Sequence, residues 1–156
     1  LEDAVVSENP GPLIAVRGAK HLRIAGVTVE AGRGHGIVVE ESTGVEVAGC
    51  TLRNLGRVGV TVVGGEACSV RSCDIEGVGE GGVVLSGGDR QTLRPAGHVA
   101  FNNHIHHYSR LCKTYTPAVR IEGVGNRVEH NRIHDAPHNA VQGGGNDHVI
   151  AYNEIY

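Results

Sequence analysis

Four tripeptides carry most of the chemistry that this chain offers: Asp74-Ile75-Glu76, His104-Ile105-His106, Arg132-Ile133-His134 and Glu154-Ile155-Tyr156. Each sets two polar side chains about an isoleucine, a spacing that a β-strand turns into one polar and one apolar face. Asp74 and Glu76, about 7 Å apart on such a face, are spaced as the acid and base of a glycosidase, nearer the inverting range. Arg132, with Lys113 or Arg110, is suited instead to neutralising a uronate carboxylate while a histidine or tyrosine removes the adjacent proton, which is lyase chemistry. His104, His106 and His134 offer three imidazoles to one metal. No cysteine or carboxylate stands at a matching signature spacing, so no metal and no other cofactor is expected.

Two further motifs lie among these tripeptides. Asp135-Ala136-Pro137-His138-Asn139 has the Pro and Asn of a turn, which would hold Asp135 and His138 at the edge of the same face. Gly77-Val78-Gly79-Glu80-Gly81-Gly82 spells GxGxxG. The strand-like Val83-Val84-Leu85 follows it where a dinucleotide site needs a helix, so that reading fails.

Something periodic must position the tripeptides. The unit V/I-x-x-N-x-I occurs at Val128, Asn131 and Ile133 and again at Ile150, Asn153 and Ile155, a step of 22 residues. Ala100, Val70, Val47 and Ile24 precede Val128 in its column; Asn103, Cys73, Cys50 and Val27 precede Asn131; Ile105, Ile75, Leu52 and Val29 precede Ile133. A second set, Ile14, Ile37, Val60, Val83, Val119 and Val141, steps by 23, 23, 23, 36 and 22. Repeats in the low twenties build solenoids. Short alternating apolar runs bounded by Gly, Asn, Asp or Ser, with no helical period between them, read as two or three strands per repeat. The expected fold is all-β, a right-handed parallel β-helix of about six coils in one domain. The coils fall near residues 12–33, 34–57, 58–80, 81–117, 118–139 and 140–156, over roughly 29 Å at one strand spacing each.

With Asn131 and Ile133 inward, two outward columns follow: Thr28, Thr51, Asp74, His104, Arg132, Glu154 and Glu30, Arg53, Glu76, His106, His134, Tyr156. The early coils read as solvated surface and the later ones as a polar panel. The fourth coil carries two insertions, Gly-Gly-Asp-Arg-Gln-Thr-Leu-Arg-Pro-Ala-Gly (87–97) and His-Tyr-Ser-Arg-Leu-Cys-Lys-Thr-Tyr-Thr-Pro (107–117). In a solenoid these become surface loops at the binding face, carrying Asp89, Arg90, Arg94, Tyr108, Arg110, Lys113 and Tyr115. His104, His106, His107, His134 and His138 are expected to cluster. Cys50 and Cys73 share one column and read as stacked, buried thiols. The 24 glycines suggest tight corners with positive φ. The chain shows no capping helix before Ile14 and stops at a strand unit, as if cut from a longer helix.

Composition narrows the partners. A net charge of −3 supplies no basic field for nucleic acid. The longest apolar stretches, four to five residues, are far too short to span a membrane. An outward groove of Asp, Glu, His and Arg suits an extended polar ligand. Asp74, Glu76, His104, His106 and His134 are therefore the catalytic candidates. Arg132, Glu154, Tyr156, Asp135, His138, Arg110, Lys113 and Tyr115 are the candidates for holding substrate.

The segments Ile-His-Asp-Ala-Pro-His-Asn-Ala-Val (133–141), Gly-Gly-Asn-Asp-His-Val-Ile-Ala-Tyr-Asn-Glu-Ile (144–155), Thr114–Asn131 and Gly87–Pro95 resemble the large bacterial right-handed β-helix proteins of the pectate-lyase-like superfamily. The likeness is closest to secreted carbohydrate-active members, including a glycoside hydrolase group described for fucose- or xylose-containing glycans. Those members are usually several times longer. The resemblance implies a secreted or periplasmic glycoside hydrolase, or part of one, acting on a polysaccharide or oligosaccharide. A lyase or epimerase of uronates and a non-catalytic glycan-binding scaffold are the alternatives. Calcium-binding aspartate clusters of the pectate-lyase type are not evident.

Overall fold

The computed structural model describes residues 6–156, and every regular element among them is a β-strand. The runs are too short and too rich in Val and Ile for helices, and most alternate more buried with less buried residues. Eighteen strands form three parallel sheets of six. The first stacks Ile14–Arg17, Ile37–Glu40, Val60–Val63, Val83–Gly87, Val119–Val124 and Val141–Asn146. The second runs from Arg23–Ala25 through Glu46–Ala48, Ser69–Arg71, Val99–Phe101 and Arg127–Glu129 to Val149–Ala151. The third runs from Thr28–Glu30 through Thr51–Arg53, Asp74–Glu76, His104–His106 and Arg132–His134 to Glu154–Ile155. Each coil contributes one strand to each sheet and pairs with the coil before and after it, a right-handed parallel β-helix of six coils.

Inward side chains form columns that fill the tube. Ile37, Val60 and Val83 stack from the first sheet, Val47, Val70 and Ala100 from the second, and Leu52, Ile75, Ile105 and Ile133 from the third, all essentially inaccessible. A single-residue slip would expose every one of them, which pins the register.

The corner between the second and third sheets is two residues long. Its first residue has positive φ in every coil: Gly26 (66°), Gly49 (59°), Ser72 (51°), Asn102 (55°), His130 (57°) and Tyr152 (58°). Glycine thus supplies this corner only in the first two coils. The second corner residue explains why the others accept the strain. Asn103 Oδ1 accepts the Cys73 N–H at 3.0 Å, Asn131 Oδ1 the Asn103 N–H at 2.9 Å, and Asn153 Oδ1 the Asn131 N–H at 3.0 Å. Their amides donate backwards to Val70, Ala100 and Val128 carbonyls. Cys50 and Cys73 continue the column with thiols that donate to the Ile24 and Val47 carbonyls at 3.6 and 3.7 Å. Both are buried and unbridged, and burial raises the Cys73 pKa to about 11.

A second polar ladder runs along the entrance to the second sheet. His98 Nδ1 accepts the Cys68 N–H at 3.2 Å, Asn126 Oδ1 the His98 N–H at 3.0 Å, and His148 Nδ1 the Asn126 N–H at 3.1 Å. His98 is wholly buried, and its Nε2 has no partner. Burial pushes its pKa below the usual histidine value. Below pH 6.5 the unfolded chain therefore binds the proton more readily, and stability falls as pH falls through that range, by up to about 1.4 kcal/mol per pH unit for one such group. His98→Asn keeps an acceptor for Cys68, as Asn103 does for Cys73, and removes the titration. Urea midpoints between pH 7 and 5 should fall less steeply for His98→Asn than for the parent; parallel curves would dismiss this assignment.

Candidate functional site

The outward face of the third sheet holds the four tripeptides in register. His104 lies between Asp74 and Arg132, His106 between Glu76 and His134, and Glu154 beside Arg132. In the early coils this surface is ordinary ion pairing: Arg53 with Glu30 here, and Arg23 with Glu46 on the second sheet at 2.9 Å. Pairs this exposed contribute little. From Asp74 onward the pairing changes in kind, because imidazoles join the carboxylates and Arg132 is the one arginine left in the columns.

Those imidazoles stack. His104 and His106 rings lie 4.2 Å apart, His106 and His134 5.2 Å apart at 9°, and His134 lies 4.9 Å from the Tyr156 ring at 5°. Side chains of His106 and His134 are 13% and 12% exposed, whereas that of His104 is 38% exposed, so His104 is the imidazole that a ligand reaches first. Arg132 donates to the Tyr156 hydroxyl, sits 5.4 Å over its ring and approaches Glu154 at 3.7 Å.

The hydrogen bonds assign the tautomers. Asp135 Oδ2 lies 2.8 Å from His134 Nδ1, so that nitrogen carries the proton and Nε2 is left as an acceptor. His134 Nε2 is 2.7 Å from His104 Nε2, which must then donate. His104 Nδ1 is left with a lone pair, 3.1 Å from Asp74 Oδ1. His107 Nε2 stands 3.9 Å from Asp135 Oδ2, too far for a hydrogen bond, and His107 Nδ1 meets His106 Nδ1 at 2.8 Å. His106 Nε2 itself donates to the same Asp74 oxygen at 3.3 Å and lies 4.0 Å from Glu76. The His104 Nδ1 lone pair, the His106 Nε2–H and an Asp74 carboxylate oxygen thus converge, with their atoms within 4.8 Å. Burial and the neighbouring His106 push the His104 pKa below its usual value, against the pull of Asp74. The His134 N–H holds Asp135 below the usual carboxylate range.

Other sequence candidates fall elsewhere. Arg110 donates to the Gly77 carbonyl at 3.1 Å and lines a cleft of about 580 Å³ with Glu30, Arg33 and Asn54, which extends the panel's edge at the following corner. Lys113 is exposed on the same loop. His138 does not join the imidazole cluster: its ring meets Tyr115 at 5.4 Å and its Nδ1 accepts the Tyr115 N–H at 3.4 Å. The Pro137 turn carries it past the end of the third-sheet strand, so Asp135 stays with the panel and His138 leaves. Tyr108, expected in a surface loop, is buried, with its hydroxyl on the Asn139 carbonyl at 3.1 Å and its pKa raised to about 12 by burial. Asp89 folds onto its own turn through Gln91 and Thr92, and Arg94 pairs with Glu66. A second cleft of about 250 Å³, whose lining includes His35, Arg57, Glu80 and Arg120 beside Val58, Val84 and Pro117, had no sequence signal, because its residues come from separate segments.

Comparison with known proteins adds the following. The family model described as a right handed beta helix region matches residues 1–95. No curated protein matches the sequence. Among solved structures, the A-module of a mannuronan C-5 epimerase from Azotobacter vinelandii is similar at 14% identity with a TM-score of 0.39. That match covers 92% of this chain and 56% of the other, so the chain spans little more than half that structure's length.

Proposed function

The chain belongs to the right-handed β-helix family, and on that scaffold we propose an enzyme that removes the proton beside the carboxylate of a uronic acid within a polysaccharide. The observation that carries this reading is the His104 Nδ1 lone pair held 3.1 Å from Asp74 Oδ1. Uncharged, the contact sets two acceptors against each other. A proton taken from substrate C5 turns it into a charge-assisted hydrogen bond, so the pair is built to receive one. Arg132 pairs with the uronate carboxylate and stabilises the negative charge that gathers there as the C5–H bond breaks. The Tyr156 hydroxyl, placed by Arg132, supplies a proton to the departing C4 oxygen. The C4–O bond then breaks with formation of a C4–C5 double bond, and the products are an unsaturated uronate and a new chain end. Return of a proton to the opposite face of C5 instead gives the epimer.

Glycoside hydrolysis, the first expectation from the sequence, is the second reading. What favours it is that His106 Nε2 stands between Asp74 and Glu76, at 3.3 and 4.0 Å, and ties both carboxylates to one site. The proton-handling groups at the centre of the panel are nonetheless imidazoles and a phenol, which suits carbanion chemistry better than the protonated carboxyl of a glycosidase.

The test is a panel of polyuronates and neutral polysaccharides in D2O, following ultraviolet absorbance, reducing ends and deuterium at C5. Absorbance or C5 deuterium on polyuronates alone is the expected result. Reducing ends without either would overturn the proposal in favour of hydrolysis, and silence in all three would leave a binding scaffold.

A further inference from the structure

We propose that Asp74, His104 and His106 form a binding site for one divalent transition-metal cation. The argument is geometric and does not depend on the uronate reading. Asp74 Oδ1 stands 3.1 Å from His104 Nδ1 and 3.3 Å from His106 Nε2, with all three atoms within 4.8 Å of one another. Metal–ligand bonds of about 2.0–2.2 Å put neighbouring ligands roughly 2.9–3.5 Å apart in a tetrahedral or octahedral shell, and both Asp74 edges fall in that range.

The surrounding hydrogen bonds point the same way. A ligating histidine normally donates its other N–H to a partner that fixes the tautomer. Both histidines here have such a partner. His104 Nε2 meets His134 at 2.7 Å, and His106 Nδ1 meets His107 at 2.8 Å. His134 in turn donates to Asp135 Oδ2 at 2.8 Å. Asp135 therefore orders His134 and, through it, leaves the His104 Nδ1 lone pair turned towards Asp74, where a bound cation would displace the His106 Nε2 proton.

The donor set selects the class of metal. Two imidazoles and one carboxylate suit zinc, cobalt, nickel, copper or iron, whereas calcium demands six to eight oxygens. Three protein ligands leave coordination positions open towards solvent, where Glu76, 4.0 Å from His106 Nε2, stands nearest. The sequence hid this set because its members come from two coils, thirty residues apart (Asp74 to His104), and the third ligand is not His134 but the carboxylate of Asp74.

The test uses the full chain, free of any histidine tag and dialysed against chelator. Zn2+ is titrated by calorimetry, and Co2+ is followed by its visible d–d absorption. We expect one equivalent of each per chain and no heat with Ca2+. His106→Gln should abolish the Co2+ spectrum, Asp135→Asn should weaken Zn2+ binding by roughly 10–100-fold, and His21→Gln should change nothing. Circular dichroism establishes that each variant folds. Absence of binding in the parent chain up to millimolar metal, or equal binding by His106→Gln, would overturn the site. The readouts need no substrate, so failure of the uronate assay leaves this result standing. Because a bound cation occupies the His104 lone pair, that assay is run with chelator present.

Discussion

Replacing Asn131 by Leu should cost about 4 kcal/mol or more of stability, since the buried groups it leaves unpaired cost about 1–3 kcal/mol each. Asn131 is 1% exposed and sits at the middle of the asparagine ladder. Its Oδ1 accepts both the backbone and the side-chain N–H of Asn103, and its Nδ2 donates to the Ala100 and Glu129 carbonyls, all at 2.9–3.0 Å. Leucine has a similar size and satisfies none of these. The molecule itself supplies the control. In the second and third coils the same position is Cys50 and Cys73, whose thiols still donate to the carbonyl of the coil before. Asn131→Cys should therefore lose clearly less than Asn131→Leu in urea unfolding. Equal losses would mean that the column is filled by volume alone and that its hydrogen bonds contribute nothing.

That ladder also marks what was legible in the sequence. Asn103, Asn131 and Asn153 announced themselves because one residue type recurred at one spacing, and the columns of Val and Ile did the same. The parallel fold, its six coils and the outward tripeptides followed from that periodicity. The ladder of Cys68, His98, Asn126 and His148 performs an equivalent task with three residue types, and no repeat of letters exposed it. The glycines do mark corners, twelve of the 24 having positive φ, but at the second-to-third-sheet corner only two of six coils use one, and interior hydrogen bonds hold the other four residues there. At the site, strand alternation placed Asp74, His104, His106, Arg132 and His134 on one face. It could not say which nitrogen faces which oxygen. Nor could it follow the chain through the Pro137 turn, after which His138 departs with Tyr115 while Asp135 remains.

His104→Gln should lower turnover on a polyuronate by roughly 100- to 10,000-fold, the range for removal of a positioned proton acceptor. Glutamine preserves size and polarity on an outward, part-exposed strand position, so folding should be unaffected and substrate affinity nearly so. Arg132 is expected to divide its effect differently. Its guanidinium holds the substrate carboxylate before and during proton transfer, so Arg132→Gln should raise KM as well as lower kcat, and Arg132→Lys should not rescue it, because a point charge cannot reproduce the planar fork. Asp135 touches neither substrate atom. It acts through His134, whose Nδ1 it holds at 2.8 Å, and so sets which nitrogen of His104 is free. Asp135→Asn should therefore lower kcat with little change in KM, and the loss should not add to that of His104→Gln, because both variants interrupt one chain. Independent, additive losses would break the link between Asp135 and His104 on which the proton-transfer assignment rests. An unchanged kcat for His104→Gln would remove the imidazole from the chemistry and return the site to Asp74 and Glu76.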